Sequence, residues 1–203
     1  MVDTVFFDSV TPVYCKNKTF ENLLGIIDSK ELSKIEANIT AIRSIELFQD
    51  KDLIPQTFGF DHLKAIHFHL FQDIYSWAGK PRAYDMKKGD DTFTPANLLP
   101  RYESEVFTRS IDYFNREQRP SISESSELLA SCLGIINIYH PFPEGNGRAQ
   151  RIFLSSLAGV FEYSLSWGVL VPGEIIGPLK NIHQEQNYKP LENQIRRIIS
   201  DES

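Results

Sequence analysis

The chain has 203 residues, of which 41% are hydrophobic and 24% are charged. These proportions are those of an ordinary globular protein and exclude a disordered or fibrous chain. Twenty-one basic residues against 27 acidic ones give a net charge of −6, which argues against wholesale binding to a nucleic-acid backbone. No apolar run reaches the length of a membrane span, so we expect neither a nucleic-acid nor a membrane partner.

The start of the chain and its cysteines bear on where the protein works. Residues Met1 to Asp8 lack a basic stretch followed by an apolar run, so we expect no secretory signal. The two cysteines, Cys15 and Cys132, have no Cys or His neighbours at metal-ligand spacing. We expect both to be structural thiols in a reducing compartment, which predicts a cytoplasmic protein.

In chain order, the pattern predicts one all-α domain over residues 1–203. Residues 1–28 are expected to form an irregular arm, followed by a helical core over 29–203. Apolar spacing, caps and helix breakers predict helices over 29–47, 61–77, 97–117, 123–139, 147–161, 173–186 and 190–200. Between 82 and 95, a turn at Lys88-Gly89-Asp90-Asp91 predicts a β-hairpin. An isolated two-stranded hairpin is marginal in water, so this one must lean on helices or on a partner.

One segment combines an imidazole, an acid, two glycines around an amide, and two arginines within a short stretch. It spans residues 140–151 and reads His140-Pro141-Phe142-Pro143-Glu144-Gly145-Asn146-Gly147-Arg148-Ala149-Gln150-Arg151. The prolines end the preceding helix, so His140 lies at its C-terminus. Gly145 and Gly147 permit positive φ, which lets N–H groups converge on an anion beside the next helix N-terminus. Arg148 and Arg151 lie three residues apart on one face of that helix.

These features predict an oligophosphate site with a base at its edge. Glu144 beside a phosphate is suited to hold a divalent cation such as Mg²⁺. His140 can take a proton from an incoming hydroxyl, because the ordinary pKa of an imidazole is about 6.5. The segment is neither a Walker A loop nor a dinucleotide-binding turn. The alternative is an ordinary helix–helix connection with two solvated arginines.

Residues 140–151 resemble the signature of the Fic (filamentation induced by cAMP) family, H-P-F-x-[D/E]-G-N-G-R-x-x-R, at every fixed position. The resemblance to compact bacterial Fic proteins extends over 22–47, 61–79 and the hairpin. It implies an all-α Fic fold of about six to eight helices with a small β-hairpin flap over the active site. It also implies transfer of AMP from ATP to a Ser, Thr or Tyr hydroxyl of a target protein, with release of pyrophosphate.

The resemblance assigns a role to each motif residue. His140 would deprotonate the target hydroxyl, and Glu144 would ligate Mg²⁺. The nucleotide phosphates would be bound by Gly145, Asn146, Gly147, Arg148 and Arg151. The flap would dock an extended target segment by β-augmentation through Lys88, Gly89, Thr92 and Phe93.

Many Fic proteins are inhibited by a helix carrying [S/T]-x-x-x-E-[G/N]. Glutamate precedes Gly or Asn here at Glu21, Glu144 and Glu192, and none has Ser or Thr four positions earlier. The resemblance to stand-alone Fic toxins therefore implies a separate small antitoxin beside the first helix, with DNA gyrase and topoisomerase IV as possible targets. An unrestrained enzyme is the alternative.

Three rival functions stay open at this point. The first is transfer of another group, such as UMP or phosphate, by the same fold. The second is a binding module that has lost catalysis, and the third is a fragment of a secreted effector that modifies host proteins. The histidines at 62, 67 and 69 lack metal-site spacing, so we expect core or surface histidines rather than a zinc site.

Overall fold

The computed structural model describes residues 9–12, 19–89 and 91–201. Within these residues the fold has seven α-helices and two small antiparallel sheets, as expected for an all-α domain with a hairpin. The helices are α1 (Ser29–Gln49), α2 (Phe60–Phe71), α3 (Leu99–Phe114), α4 (Ile122–Tyr139), α5 (Asn146–Gly159), α6 (Ile176–Glu185) and α7 (Lys189–Ile198). The strands are β1 (Lys87–Lys88), β2 (Asp91–Thr92), β3 (Tyr163–Leu165) and β4 (Ile199–Asp201).

Helix α4 lies at the centre of the fold, packed against α3, α5 and α7. It begins at a capping box, in which the Ser121 hydroxyl accepts from the Glu124 N–H and the Glu124 carboxylate accepts from the Ser121 N–H. Burial on this helix raises the pKa of the Cys132 thiol to about 12, so no reactive thiolate forms at neutral pH. Cys15 lies outside the described residues.

Helix α5 packs on α4 and α2, and α1 packs on α2. The interior between these helices is rich in buried aromatic rings, among them Phe58, Phe71, Phe107, Phe142 and Phe153. Each buried ring contributes roughly 1.5–3 kcal/mol of transfer free energy. Phe142 belongs to the connection between α4 and α5, so its burial anchors that connection to the core.

The second helix ends six residues earlier than predicted. Ile74 and Trp77 continue the apolar spacing and are buried, but they lie in turns beyond Phe71. The chain folds back there because the Gly79 N–H donates to Nδ1 of His67 on α2, at 2.9 Å. A Cβ on Gly79 would lie 2.9 Å from the Cβ of Phe68, so the return needs a glycine.

Other boundaries differ in smaller ways. The predicted helix over 97–117 is a 3₁₀ turn at Ala96–Leu98 followed by α3, which ends at Phe114. The helix predicted over 190–200 ends at Ile198, because the chain then forms β4 and pairs with β3. This second sheet was not predicted, since its strands have three residues each and come from distant parts of the sequence.

The described part of the N-terminal arm touches the base of the hairpin. Val10 forms a parallel bridge with Arg82, through hydrogen bonds from Val10 N–H to Pro81 C=O and from Ala83 N–H to Val10 C=O, both 2.8 Å. The irregular arm therefore braces the residues that lead into the flap. Among the described residues, no helix has both the length and the apolar character needed to cross a membrane.

Candidate active site

His140 lies in the connection between α4 and α5 with a left-handed main chain, at φ 43° and ψ 61°. The following proline disfavours the right-handed helical region at this position, so α4 stops here. The His140 N–H still closes the helix on the Ile136 carbonyl at 3.0 Å. A non-glycine residue in this region is strained and persists only where its surroundings hold it. The predicted position of His140 at the C-terminus of a helix is confirmed.

The imidazole of His140 is oriented by contacts at its edge and on its face. Its Nδ1 lies 3.2 Å from the Asn137 carbonyl oxygen, an acceptor, so Nδ1 carries a hydrogen. The ring of Phe93, from the flap, stacks on it with centroids 3.7 Å apart and an interplanar angle of 14°. The ring is therefore set in one plane.

The N-terminus of α5 forms the second part of the site. Gly145 precedes the helix at φ 81°, and a Cβ there would lie 2.3 Å from Cζ of Phe71, so only glycine fits. No acceptor for the N–H groups of Asn146 and Gly147 occurs among the hydrogen bonds of the described residues. These two donors are available to an anion.

Gly147 differs from the sequence-based expectation. It is helical rather than at positive φ, because α5 begins at Asn146, one residue before the predicted start. A Cβ on Gly147 would lie 3.8 Å from Nη1 of Arg151, an ordinary contact. The glycine therefore leaves open space at the helix N-terminus rather than allowing a special main-chain conformation.

The side chain of Asn146 is buried and shapes the loop. Its Oδ1 accepts from the Phe142 N–H at 3.0 Å, and its Nδ2 donates to the Phe142 carbonyl at 2.7 Å. These bonds close the six-residue connection on itself. The contact between Asn146 and a nucleotide, which the family resemblance implies, stays a prediction.

Glu144 is half-exposed beside these groups. Its Oε1 accepts from the Gly145 N–H at 2.9 Å and lies 3.6 Å from Nη2 of Arg148. A cavity of about 220 Å³ opens between the flap and this loop, and Lys87, Lys88, His140, Glu144 and Gly147 are among its lining residues. A larger cavity, about 350 Å³, lies by Leu47, Ser155 and Tyr163, where none of the predicted site residues occurs. Chemistry rather than size therefore identifies the site.

Arg148 is held by a partner that the sequence analysis missed. Its Nη2 lies 2.5 Å from Oε1 of Glu36, a buried residue of α1, and its guanidinium lies 4.7 Å from the Phe71 ring centroid. The other carboxylate oxygen of Glu36 accepts from the Tyr75 hydroxyl at 2.5 Å. Burial and the Glu36 hydrogen bond raise the pKa of Tyr75, so the phenol stays protonated and donates. No motif in the sequence connects Glu36 to this site.

Arg151 follows Arg148 by one turn and has an exposed side chain. Desolvation by surrounding groups lowers the pKa of its guanidinium, and the positive charge of Arg148 lowers it further. The ion pairs among the described residues include Arg148 but not Arg151. Two like charges held side by side favour an anion between them.

The flap brings three of its four predicted residues to the surface. Lys88 and Thr92 are exposed in paired strands, and Gly89 makes the turn at φ 63°. Phe93 is only 4% exposed and lies beneath the hairpin against His140, so it does not belong to the docking edge where we expected it. Asp90 lies outside the described residues.

Two buried side chains, one on α2 and one at the base of the flap, hold the connection, and both were missed as site residues. Nε2 of His67 donates to the Glu144 carbonyl at 2.9 Å, since its Nδ1 already accepts from Gly79. Burial lowers the pKa of His67 to about 3, so this ring is neutral. Arg82 donates from Nε to the His140 carbonyl at 2.9 Å. Such contacts between distant residues leave no signal in a single sequence.

The remaining histidines of α2 do not gather around a centre. His62 is buried among aromatic rings, and burial lowers its pKa to about 4. His69 lies 2.9 Å from a carboxylate oxygen of Glu46. His62 is therefore a core histidine, and His69 is bound to a carboxylate at the surface.

Comparison with known proteins gives concordant results. Residues 57–158 match the model of the Fic/DOC family. The probable protein adenylyltransferase y4lH of Sinorhizobium fredii is 32% identical over 192 residues, which cover 92% of this chain and 94% of that protein. Protein adenylyltransferase VbhT of Bartonella schoenbuchensis is 36% identical over 146 residues, 72% of this chain but only 30% of that longer protein.

A solved structure supports the same fold. The BepC protein of Bartonella tribocorum, a VirB-translocated effector crystallised with AMPPNP, superposes with a TM-score of 0.85 at 20% identity, covering 94% of this chain and 97% of that one. The family model spans the flap, the α4–α5 connection and most of the core, and the y4lH relative extends the match to nearly the whole chain. The chain is therefore a member of the Fic/DOC family.

Proposed function

We propose that the protein is an adenylyltransferase that moves AMP from ATP to a Ser, Thr or Tyr hydroxyl of a target protein. The observation that carries the proposal is the position of His140, which lines the same cavity as Asn146 and Gly147 at the N-terminus of α5. The relative at 36% identity is named a protein adenylyltransferase, and the one at 32% identity is named a probable protein adenylyltransferase. The BepC structure holds an ATP analogue.

The phosphates would lie at the N-terminus of α5. The free N–H groups of Asn146 and Gly147 and the helix dipole offer partial positive charge there. Arg151 supplies a full charge on the same side of the helix, and Arg148 supplies a charge that it shares with Glu36. We assign the distal phosphates to Arg148 and the γ-phosphate to Arg151, as the family resemblance implies.

The residues fit a Mg²⁺ ion that arrives with the nucleotide. In the described residues no group of three or more His, Cys, Asp or Glu side chains could hold a metal, and the carboxylate that we assign to the ion is that of Glu144, which lines the cavity. Mg²⁺ commonly takes one or two carboxylates together with phosphate oxygens and water. When bound, the ion supplies positive charge beside the phosphate oxygens.

The reaction is a substitution at the α-phosphorus. The target hydroxyl gives its proton to Nε2 of His140 while its oxygen attacks the α-phosphorus. The bond from that phosphorus to the bridging oxygen breaks, so AMP joins the target and pyrophosphate leaves. The arginines and the helix N–H groups stabilise the charge that develops on the phosphates. His140 then releases its proton to solvent.

The flap offers main-chain groups for an extended target segment. The Phe93 N–H donates to the Met86 carbonyl at 3.2 Å, and the register pairs Lys87 with Thr92. Antiparallel ladders alternate bonded and non-bonded pairs, so the main-chain groups of Lys87 and Thr92 point away from the hairpin. One of these two edges would pair with the target.

The first experiment tests the chemistry with ATP labelled at the α- or the γ-phosphate, in bacterial lysate. Label from the α-position on a protein band, dependent on Mg²⁺, supports adenylylation. His140→Ala should reduce transfer by a factor on the order of 10²–10⁴ and leave ATP binding intact. His69→Gln is the matched control, because His69 bonds to Glu46 away from the site.

Three outcomes contradict the proposal. Label transferred only from the γ-position indicates a kinase, and label that is transferred only when α-labelled UTP replaces ATP indicates uridylylation. Transfer that survives His140→Ala removes His140 as the base.

The second experiment tests docking on the flap. Proline at an outward-facing N–H removes one donor and leaves the hairpin bonds in place. Thr92→Pro tests the β2 edge and Lys87→Pro tests the β1 edge. We expect one variant to lose target modification while both bind ATP. Full activity of both variants contradicts β-augmentation.

We also propose that a small inhibitor protein restrains the enzyme in the bacterial cytoplasm by placing a glutamate on Arg151. The support is the exposed cation of Arg151 and three exposed apolar residues, Ile42, Ile45 and Phe48, along the helix that we expect to lie beside the inhibitor. Expression of the chain alone should then arrest growth, with DNA gyrase and topoisomerase IV as the first targets to assay. Harmless expression of an active enzyme contradicts this regulation.

A further inference from the structure

Arg82 is a buried cation whose partners are main-chain carbonyls. Its side chain is among the largest that are fully buried, with 1% exposure. Nε donates to the His140 carbonyl at 2.9 Å, Nη1 to the Tyr84 carbonyl at 2.7 Å, and Nη2 to the Thr94 carbonyl at 2.5 Å. Nη2 also lies 3.4 Å from the Tyr139 carbonyl.

Such an arrangement is costly, because a charge has been moved out of water. The nearby acid, Asp85, accepts from the Ala96 N–H at 2.8 Å instead. Burial lowers the pKa of Arg82 as a result. An apolar side chain would fill the same volume at less cost, but it would leave three carbonyls without donors. The planar guanidinium is the one side chain with donors in enough directions to satisfy them together.

The carbonyls that Arg82 binds come from two functional parts of the molecule. Tyr84 precedes β1 and Thr94 follows β2, so they are the two stems of the flap. His140 carries the catalytic imidazole and has a strained main chain that its surroundings must hold. One side chain therefore joins both flap stems to the residue that acts as the base.

Neighbouring contacts extend this junction to the ring of His140. The Thr94 N–H donates to the Ile138 carbonyl at 3.0 Å, and the Arg82 N–H donates to the Pro141 carbonyl at 2.7 Å. Phe93, adjacent to Thr94, stacks on the imidazole. The distance between the flap and α4 therefore determines how the Phe93 ring lies on the imidazole of His140.

We propose that Arg82 is a positioning residue that fixes the distance between the target-binding flap and His140. The inference rests on the proposed function, since the distance matters only if the flap delivers a hydroxyl to Nε2. The guanidinium acts through the main chain and touches neither the nucleotide nor the hydroxyl. Misplacement of reacting groups by about 1 Å costs on the order of 10² in rate.

The test compares Arg82→Lys and Arg82→Met with wild type. Lysine keeps the charge but cannot span three carbonyls in a plane, and methionine keeps volume without charge. Arg43→Lys is the matched control, because Arg43 forms surface ion pairs with Glu46 and Asp73. We expect kcat for target adenylylation to fall at least ~10-fold in both Arg82 variants, with the Kd for ATP nearly unchanged. Arg43→Lys should match wild type.

A spectroscopic readout separates positioning from general damage. In wild type the stacked Phe93 ring should shift the Hε1 resonance of His140 upfield, and this shift should diminish in Arg82→Lys at unchanged far-UV circular dichroism. A folded Arg82→Lys protein with wild-type kcat overturns the proposal. So does a loss of kcat and ATP affinity in parallel with the His140 resonance unmoved, which would mark Arg82 as merely structural.

Two further outcomes also test the proposal: failure of the Arg82 variants to fold, and absence of AMP transfer by the wild-type protein. If neither Arg82 variant folds, Phe93→Leu replaces them, because it removes the ring that the flap lays on His140. Unchanged kcat in Phe93→Leu then overturns the proposal, and a lower kcat at the same ATP Kd supports it. If wild type transfers no AMP, the proposed function fails, whereas the His140 resonance still reports whether Arg82 positions the ring.

Discussion

Gly145→Ala is the sharpest test of how the loop before α5 is built. Gly145 has a left-handed main chain, which costs an L-residue roughly 1–2 kcal/mol. The new Cβ would also lie 2.3 Å and 2.4 Å from two carbons of the Phe71 ring. That ring is fully buried, and its centroid lies 4.6 Å from that of the His67 ring, so it has little room to move.

The strained main chain and the contact with Phe71 together give the expected loss of stability. Overpacking of a tight core typically costs about 1–3 kcal/mol, so the total loss of unfolding free energy should be about 2–5 kcal/mol. For a chain of this size, that corresponds to a fall in Tm of roughly 5–15 °C. Gly147→Ala is the control, since its Cβ would meet nothing closer than 3.8 Å and alanine favours a helix by up to about 1 kcal/mol.

Urea denaturation followed by circular dichroism measures both variants. The expected order of stability is Gly147→Ala at or above wild type, and Gly145→Ala well below it. Equal stability of the two variants would refute the argument, because φ and the contact with Phe71 are the differences on which it depends.

Two further predictions concern buried charge. A double-mutant cycle with Glu36→Gln and Arg148→Gln should give a coupling energy of at least about 1 kcal/mol, because the pair is largely withdrawn from water, and a coupling near zero would contradict this. Since the pKa values of His62 and His67 are lowered to about 4 and about 3, the unfolded chain binds more protons below its ordinary histidine pKa of about 6.5. Unfolding free energy should therefore be about 2–3 kcal/mol lower at pH 5.5 than at pH 7.5, and a flat profile over this range would argue that the rings titrate freely.

Local signals were enough to locate the candidate site and most of the helices. Pro141 after His140 marks the end of α4 without reference to the rest of the fold. The Ser121–Glu124 capping box at its start is an equally local signal, which the sequence analysis did not use. The role of Gly145 at positive φ was likewise readable from its place before a helix. These features depend on residues within a few positions of each other.

The groups that hold the site in place could not be predicted, because they act across the fold. Glu36 meets Arg148 only after α1 packs on α2 and α2 on α5. Arg82 reads as an ordinary charged residue before a hairpin until the structure shows which carbonyls surround it. The β3–β4 pairing is equally invisible, because three-residue strands have no measurable alternation.

The connection between α4 and α5, residues 140–145, has a consequence for how the protein fluctuates. His67 from α2, Arg82 from the flap stem and the Asn146 amide each bind its main chain, so the loop cannot detach by breaking one contact. The amide hydrogens of His140 and Phe142, which are bonded within the fold, should exchange with solvent only through large-scale opening, whereas those of Asn146 and Gly147 should exchange readily. The hairpin strands above it are two residues long and should exchange far sooner. In the docking mode proposed above, a rigid loop beneath an easily opened edge lets one scaffold accept new target sequences without disturbing the residues of the candidate site.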